Sequence, residues 1–224
     1  MKPTIGLVTI GQSPRVDLTP DLETLWQSRY TLLERGALDD LSPEAIAKLA
    51  PAADETVLVS RLREGGCARI AEERLIPLVQ EAIIQVGSQA NAIFLLCTGE
   101  FPPMISPVPL FEPDRLLRNT VRGMLRPDQT LGVIVPEADQ QEDIVRRWAK
   151  YIDNPVITDF GSPYASDTLL LERAAERLSQ QNVDLIVLDC LGYSQEMKNK
   201  VKAITGLSVI IPRTLVGRLI EEVL

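Results

Sequence analysis

Two apolar segments that end in the same pattern constrain this chain more than anything else in it. Leu185-Ile186-Val187-Leu188-Asp189-Cys190-Leu191-Gly192 aligns with Ala92-Ile93-Phe94-Leu95-Leu96-Cys97-Thr98-Gly99, and isoleucine, leucine, cysteine and glycine coincide. Short apolar runs closed by turn residues read as buried parallel strands. Ligands of open α/β sheets bind just beyond the carboxyl ends of such strands, where both cysteines fall. The pair predicts a duplicated half-domain facing itself across a cleft. A cysteine is also a small hydrophobe at home in a core, and its reactivity depends on surroundings that sequence does not display. The recurrence at two matching strand ends favours a functional role for Cys97 and Cys190.

The rest of the chain supports the same architecture. Further strands are predicted at 4–10, 30–35, 56–60, 131–135, 155–158 and 207–211. Helices are predicted at 20–28, 43–50, 70–86, 114–124, 139–151, 166–180, 195–205 and 214–223, with a short extended connection at 107–113. This alternation is the signature of mainly parallel sheets flanked by helices, an α/β fold. A length of 224 residues fits two half-domains sharing a cleft. Their expected extents are 1–125 with 212–224, and 126–211.

Composition narrows the chemistry. The net charge is −8 and the basic residues are dispersed, so no electrostatic footprint for nucleic acid exists. The first residues lack the apolar region of a signal peptide, and no apolar run reaches transmembrane length. With three cysteines and no secretion signal, a reducing cytoplasm is expected and a disulfide framework is not. The chain contains no histidine. Ser-His-Asp and Cys-His mechanisms and imidazole metal sites are thereby excluded within one chain. Neither metal nor cofactor is expected, and proton transfer falls to Cys, Asp, Glu, Lys or Tyr.

Several loops carry candidate binding groups. The first strand exits into Gly11-Gln12-Ser13-Pro14-Arg15, followed by Asp17. Backbone amides there, with Gln12, Ser13 and Arg15, could hold a carboxylate; the alternative is a capped surface turn with a solvated Arg15. Binding is favoured because the loop leaves the first strand of the sheet. Gly161-Ser162-Pro163 loosely echoes this loop. Glu100 reads as a general base, a substrate repellent or a solvated acid. Cys67, in a Gly65-Gly66 turn without a phosphate-loop pattern, reads as structural. Arg115, Arg118, Arg122 and Arg126, at steps of three and four residues, read as one solvated helix face.

Thr9-Ile10-Gly11-Gln12-Ser13-Pro14-Arg15, Leu131-Gly132-Val133-Ile134-Val135-Pro136 and Leu188-Asp189-Cys190-Leu191-Gly192 resemble the AroM protein family, over essentially the whole chain. More distantly, the layout is similar to the aspartate/glutamate/hydantoin racemase superfamily, whose two pseudo-symmetric α/β halves each place a cysteine beside a small carboxylate-bearing substrate. The resemblance implies that Cys97 and Cys190 are acid–base thiols. It also implies that Gly11, Gln12 and Ser13 bind the substrate carboxylate with Thr98, while Thr9, Arg15, Gly99 and Gly192 complete the candidate binding set. The implied activity is that of a cofactor-independent racemase, epimerase or related isomerase of a small carboxylate.

That chemistry needs a base on one face of the α-carbon and an acid on the other, with donors stabilising the developing charge. Its thiolate must form below the ordinary value of about 8.5. Glutamate racemases carry Cys-Asn-Thr and Cys-Thr-His where this chain has Cys97-Thr98-Gly99 and Cys190-Leu191-Gly192. One-cysteine decarboxylation or cis–trans isomerisation, non-catalytic binding of an anionic metabolite, and a covalent Cys190 adduct therefore stay open. The expected partner is a small anionic carboxylate, with no nucleic acid or membrane, and homodimerisation is left open.

Overall fold

The computed structural model describes residues 2–165 and 169–224; the first three residues of the helix expected at 166–180 lie outside them. The chain divides into two compact units, Met1–Pro113 with Leu219–Leu224, and Asp114–Arg218. The first contains β1 (Thr4–Thr9), α1 (Thr19–Trp26), β2 (Thr31–Gly36), α2 (Pro43–Ala47), β3 (Val57–Arg61), β4 (Cys67–Ala71), α3 (Glu72–Gly87), β5 (Ala92–Leu95) and β6 (Leu110–Phe111). Then follow α4 (Pro113–Met124), β7 (Leu131–Val135), a 3-10 turn (Ala138–Gln140), α5 (Gln141–Trp148), β8 (Val156–Phe160), α6 (Leu169–Ser179), β9 (Leu185–Leu188), α7 (Gln195–Thr205), β10 (Ser208–Ile210) and α8 (Pro212–Val223).

The two units repeat one topology. Four parallel strands run β2-β1-β5-β6 in the first and β8-β7-β9-β10 in the second. Register makes the match residue by residue, since Ile5 pairs with Ala92 and Leu131 with Leu185. Gly6 and Gly132 are then equivalent, and each faces a valine: Val86 of α3 for Gly6, and Val183, just before β9, for Gly132. A Cβ on Gly132 would stand 2.7 Å from Val183 Cγ1. Gly132→Val is therefore expected to overpack this core and lower stability by about 1–3 kcal/mol, read by thermal unfolding. An unchanged melting temperature would contradict the close packing.

Strand alternation sorts the second unit's core. Leu131, Val133, Val135, Leu185 and Val187 pack with Leu117, Val121, Ile144 and Trp148 from α4 and α5. Ile134, Ile186 and Leu188 pack with α6 and α7 through Leu171, Ala175, Leu178 and Val201. In the first unit Val8, Ile10, Ile93 and Leu95 meet Leu75, Val79, Ile83 and Val86 of α3. Local signals set the helix ends: the Ser194 hydroxyl accepts from the Met197 N–H at 3.2 Å to start α7, and Gly206 closes it at φ +68°.

Residues 67–71 differ from the expectation of a turn followed by a helix from 70. They form β4, paired antiparallel with β3 from Val57↔Ala71 to Arg61↔Cys67. Ile70 and Ala71 fit the apolar period of α3, which carried the expected helix too far; ladder pairing with β3 wins instead. Gly65 and Gly66, at φ +91° and +77°, make the hairpin tip. Cys67 is an exposed strand residue. Among the described residues the second unit shows no such hairpin between β8 and α6. The expected extended connection contains the short strand β6, parallel to β5.

Candidate functional site

Each sheet ends its third strand in sequence with the same turn. The Cys97 N–H donates to Leu95 O at 2.9 Å, and the Cys190 N–H to Leu188 O at 3.0 Å. The preceding residues make the last sheet bonds, Leu96 N–H to Val8 O at 2.7 Å and Asp189 N–H to Ile134 O at 2.9 Å. Both sulfurs then accept the backbone N–H two residues on: Gly99 to Cys97 Sγ at 3.2 Å, and Gly192 to Cys190 Sγ at 3.4 Å. A donor aimed at sulfur favours the thiolate over the thiol. Both cysteines are half-buried, and no disulfide joins any of the three.

The turn glycines serve space rather than backbone freedom. Neither has a positive φ, and a Cβ on Gly192 would stand 2.4 Å from the Tyr164 hydroxyl. At Gly99 the near neighbours are Leu58 of β3, the Cys97 sulfur and Phe101. Tyr164 thus closes over the Cys190 turn, a contact that nothing in the sequence announces. The echo with the opening loop does not correspond in topology, since Gly161 follows β8, the equivalent of β2. Tyr193 is fully buried and donates its hydroxyl to Gly161 O at 2.9 Å. Burial, with the nearby Cys190 and Asp189 adding to it, holds its phenol well above the ordinary value. It is a donor, not a base, near neutral pH.

Asp189 points away from Cys190, as alternation requires. It sits with Arg118 and Trp148 on the α4/α5 side: Arg118 Nη2 reaches Asp189 Oδ2 at 3.4 Å and Trp148 Nε1 reaches it at 3.2 Å. Arg118 Nε also binds Asp114 at 2.7 Å, Arg147 joins Asp114 at 2.6 Å, and the Arg118 guanidinium lies 4.5 Å over the Trp148 ring. Arg118 is 0% exposed. This corrects the solvated-face expectation for Arg118, while Arg115, Arg122 and Arg126 are exposed. The spacing of four arginines does not reveal that one turns inward to meet a carboxylate 71 residues away.

The opening loop is a compact knot in the first unit. Thr9 Oγ1 accepts from Arg15 Nη1 at 3.0 Å, and Arg15 pairs with Asp17 at 2.8 Å. Arg15 is buried, so the solvated alternative for it does not hold. Asp39 receives the Ser13 N–H and hydroxyl at 2.8 and 2.6 Å, and Arg63 at 3.0 Å. Arg63 also donates its backbone N–H to Gln12 Oε1 at 3.0 Å and its Nε to Ser13 O at 2.7 Å. A Cβ on Gly11 would stand 2.2 Å from Ser60 Oγ. The β3–β4 hairpin thus touches the opening loop through Ser60 and Arg63 and the Cys97 turn through Leu58. It gathers Gly11, Gln12, Ser13 and Gly99, and sequence reasoning missed it together with Asp39 and Tyr164.

Burial pushes the Asp17 carboxyl up, but the Arg15 hydrogen bond and charge outweigh this and hold it below the ordinary value. A depressed carboxyl contributes stability above its unfolded value of about 3.9, lost as pH falls through the folded value. Asp17→Asn is expected to be less stable than the parent at neutral pH and to lose less on acidification below about pH 4, measured by urea unfolding. Parallel acid limbs would contradict the pairing. Among the described residues no histidine, cysteine, aspartate and glutamate side chains group to hold a metal ion, and no helix is long and apolar enough to cross a membrane.

Solved structures place this architecture in the racemase-like fold. Unliganded arylmalonate decarboxylase is similar at 15% identity with a TM-score of 0.61, covering 99% of this chain and 92% of the other. Glutamate racemase isoform RacE1 from Bacillus anthracis is similar at 11% identity and TM-score 0.58, over 100% of this chain and 82% of its own. The maleate isomerase Iso from Pseudomonas putida S16 is similar at 11% identity and TM-score 0.56, over 99% and 92%. Within that fold the AroM protein family matches residues 5–224, and the chain belongs to it. No curated protein matches the sequence.

Proposed function

We propose that this protein is a cofactor-independent racemase, epimerase or related isomerase of a small carboxylate, with Cys97 and Cys190 as its acid–base groups. The observation that carries the reading is the repeated turn, in which each cysteine sulfur accepts the N–H of the glycine two residues on, at 3.2 and 3.4 Å. The fold supports it, since similar structures include a glutamate racemase, a maleate isomerase and an arylmalonate decarboxylase. One thiolate takes the proton α to the carboxylate; the electron pair moves into the carboxylate as an enediolate, and the other thiol returns a proton to that carbon. Thr98 and the opening-loop residues Thr9, Gly11, Gln12, Ser13 and Arg15 are assigned to the carboxylate, with Gly99 and Gly192 orienting the thiols. Of the loop's backbone N–H groups, those of Ser13 and Arg15 are already engaged, by Asp39 at 2.8 Å and by Glu34 at 2.7 Å.

The test is incubation with amino acids, hydantoins and 2-substituted diacids in deuterated water, following α-deuterium incorporation by mass spectrometry. Incorporation that ceases on alkylation of both thiols is the expected result. No incorporation across the panel with intact thiols would overturn the reading.

A further inference from the structure

We propose that Arg213 is the positioning residue of the Cys190 turn, holding the Leu191–Gly192 peptide so that its N–H meets the Cys190 sulfur. Arg213 follows Pro212 at the start of α8 and is 2% exposed. Its Nε and Nη2 donate to Leu191 O at 3.0 and 2.7 Å, and Nη2 donates to Gly192 O at 3.1 Å. The Leu191 carbonyl and the Gly192 N–H belong to one planar trans peptide, so they point in opposite directions. Fixing the carbonyl on the guanidinium therefore fixes the N–H on the far side, where it reaches Cys190 Sγ at 3.4 Å. A cation on the carbonyl also polarises the peptide and makes its N–H the stronger donor. Arg213 touches no reacting atom in this account and acts through one peptide unit.

The inference rests on Cys190 being the working thiol of the proposed reaction, but its test reads the thiol and not the turnover. Iodoacetamide alkylation of Cys190 would be followed across pH in the parent protein, Arg213→Met and Arg213→Lys, with Cys97 measured in the same digests. In Arg213→Met the Cys190 midpoint is expected to rise by about one pH unit, a roughly tenfold slower reaction near neutrality. Arg213→Lys should recover part of the loss, and Cys97 should not move. A folded Arg213→Met with the parent Cys190 profile, or an equal shift at Cys97, would overturn the role.

If neither variant folds, nuclear magnetic resonance of the unmodified protein decides. The Gly192 N–H and Arg213 Nε–H resonances should both move with the Cys190 midpoint; a flat Arg213 signal would overturn it. Absence of turnover on every carboxylate would sink the isomerase reading and leave this comparison readable. Parent-like alkylation with turnover intact would sink the positioning role alone.

Discussion

Cys190→Ala is expected to abolish α-deuterium incorporation on any accepted carboxylate, by about a hundredfold to ten-thousandfold, without unfolding the protein. The side chain lies at the rim of the α6/α7-side core, half-buried, so removing its sulfur costs little packing. What disappears is the group that receives the Gly192 N–H and would carry the proton. Cys97→Ala should act equally on interconversion of enantiomers, because each direction requires a base and an acid. The pair separates mechanisms. Full activity in Cys97→Ala with loss in Cys190→Ala would make this a one-thiol decarboxylase or isomerase, and parent-like activity in both would remove the thiols from the chemistry.

The largest effect on stability is expected at Arg118. Arg118→Ala should destabilise the protein by about 3–5 kcal/mol, because it leaves buried carboxylates short of their cation. Asp189 would keep the Trp148 indole N–H, and Asp114 would keep Arg147. Neither replaces a guanidinium that binds both acids and stacks on Trp148. Urea unfolding checks this, and a loss under about 1 kcal/mol would mean that the network is only a bystander to apolar packing. Because Asp189 is the residue before Cys190, the variant should also loosen the end of β9. A moderate fall in Cys190 activity would accompany the loss of stability.

The sequence carried the parts of this account that depend on near neighbours along the chain. The two Cys-x-Gly ends are visible as aligned strings, and they are equivalent because β5 and β9 occupy the same place in their sheets. Alternation sends Asp189 and Cys190 to opposite faces, which follows from the pleat alone. The inward turn of Arg118 was not visible, since an arginine row at helical spacing looks the same whether or not a distant carboxylate waits behind it. The β3–β4 hairpin was masked by apolar residues that also suit the start of α3. Gly192 was readable as a turn glycine, yet the ring of Tyr164, brought in from the loop after β8, decides why no side chain fits there. Arg213 had only a proline–arginine pair to announce it; its carbonyl partners lie 21 and 22 residues back along the chain.

The acid–base role of the two thiols is tested most directly by the pH dependence of iodoacetamide alkylation at each cysteine, resolved by peptide mass spectrometry. Cys67, exposed on β4, supplies the reference in the same molecule. Cys97 and Cys190 are expected to react with midpoints well below that of Cys67, because each sulfur sits on a backbone N–H at the end of its strand. Three coincident midpoints would contradict that role, leaving two ordinary thiols in a racemase-like fold.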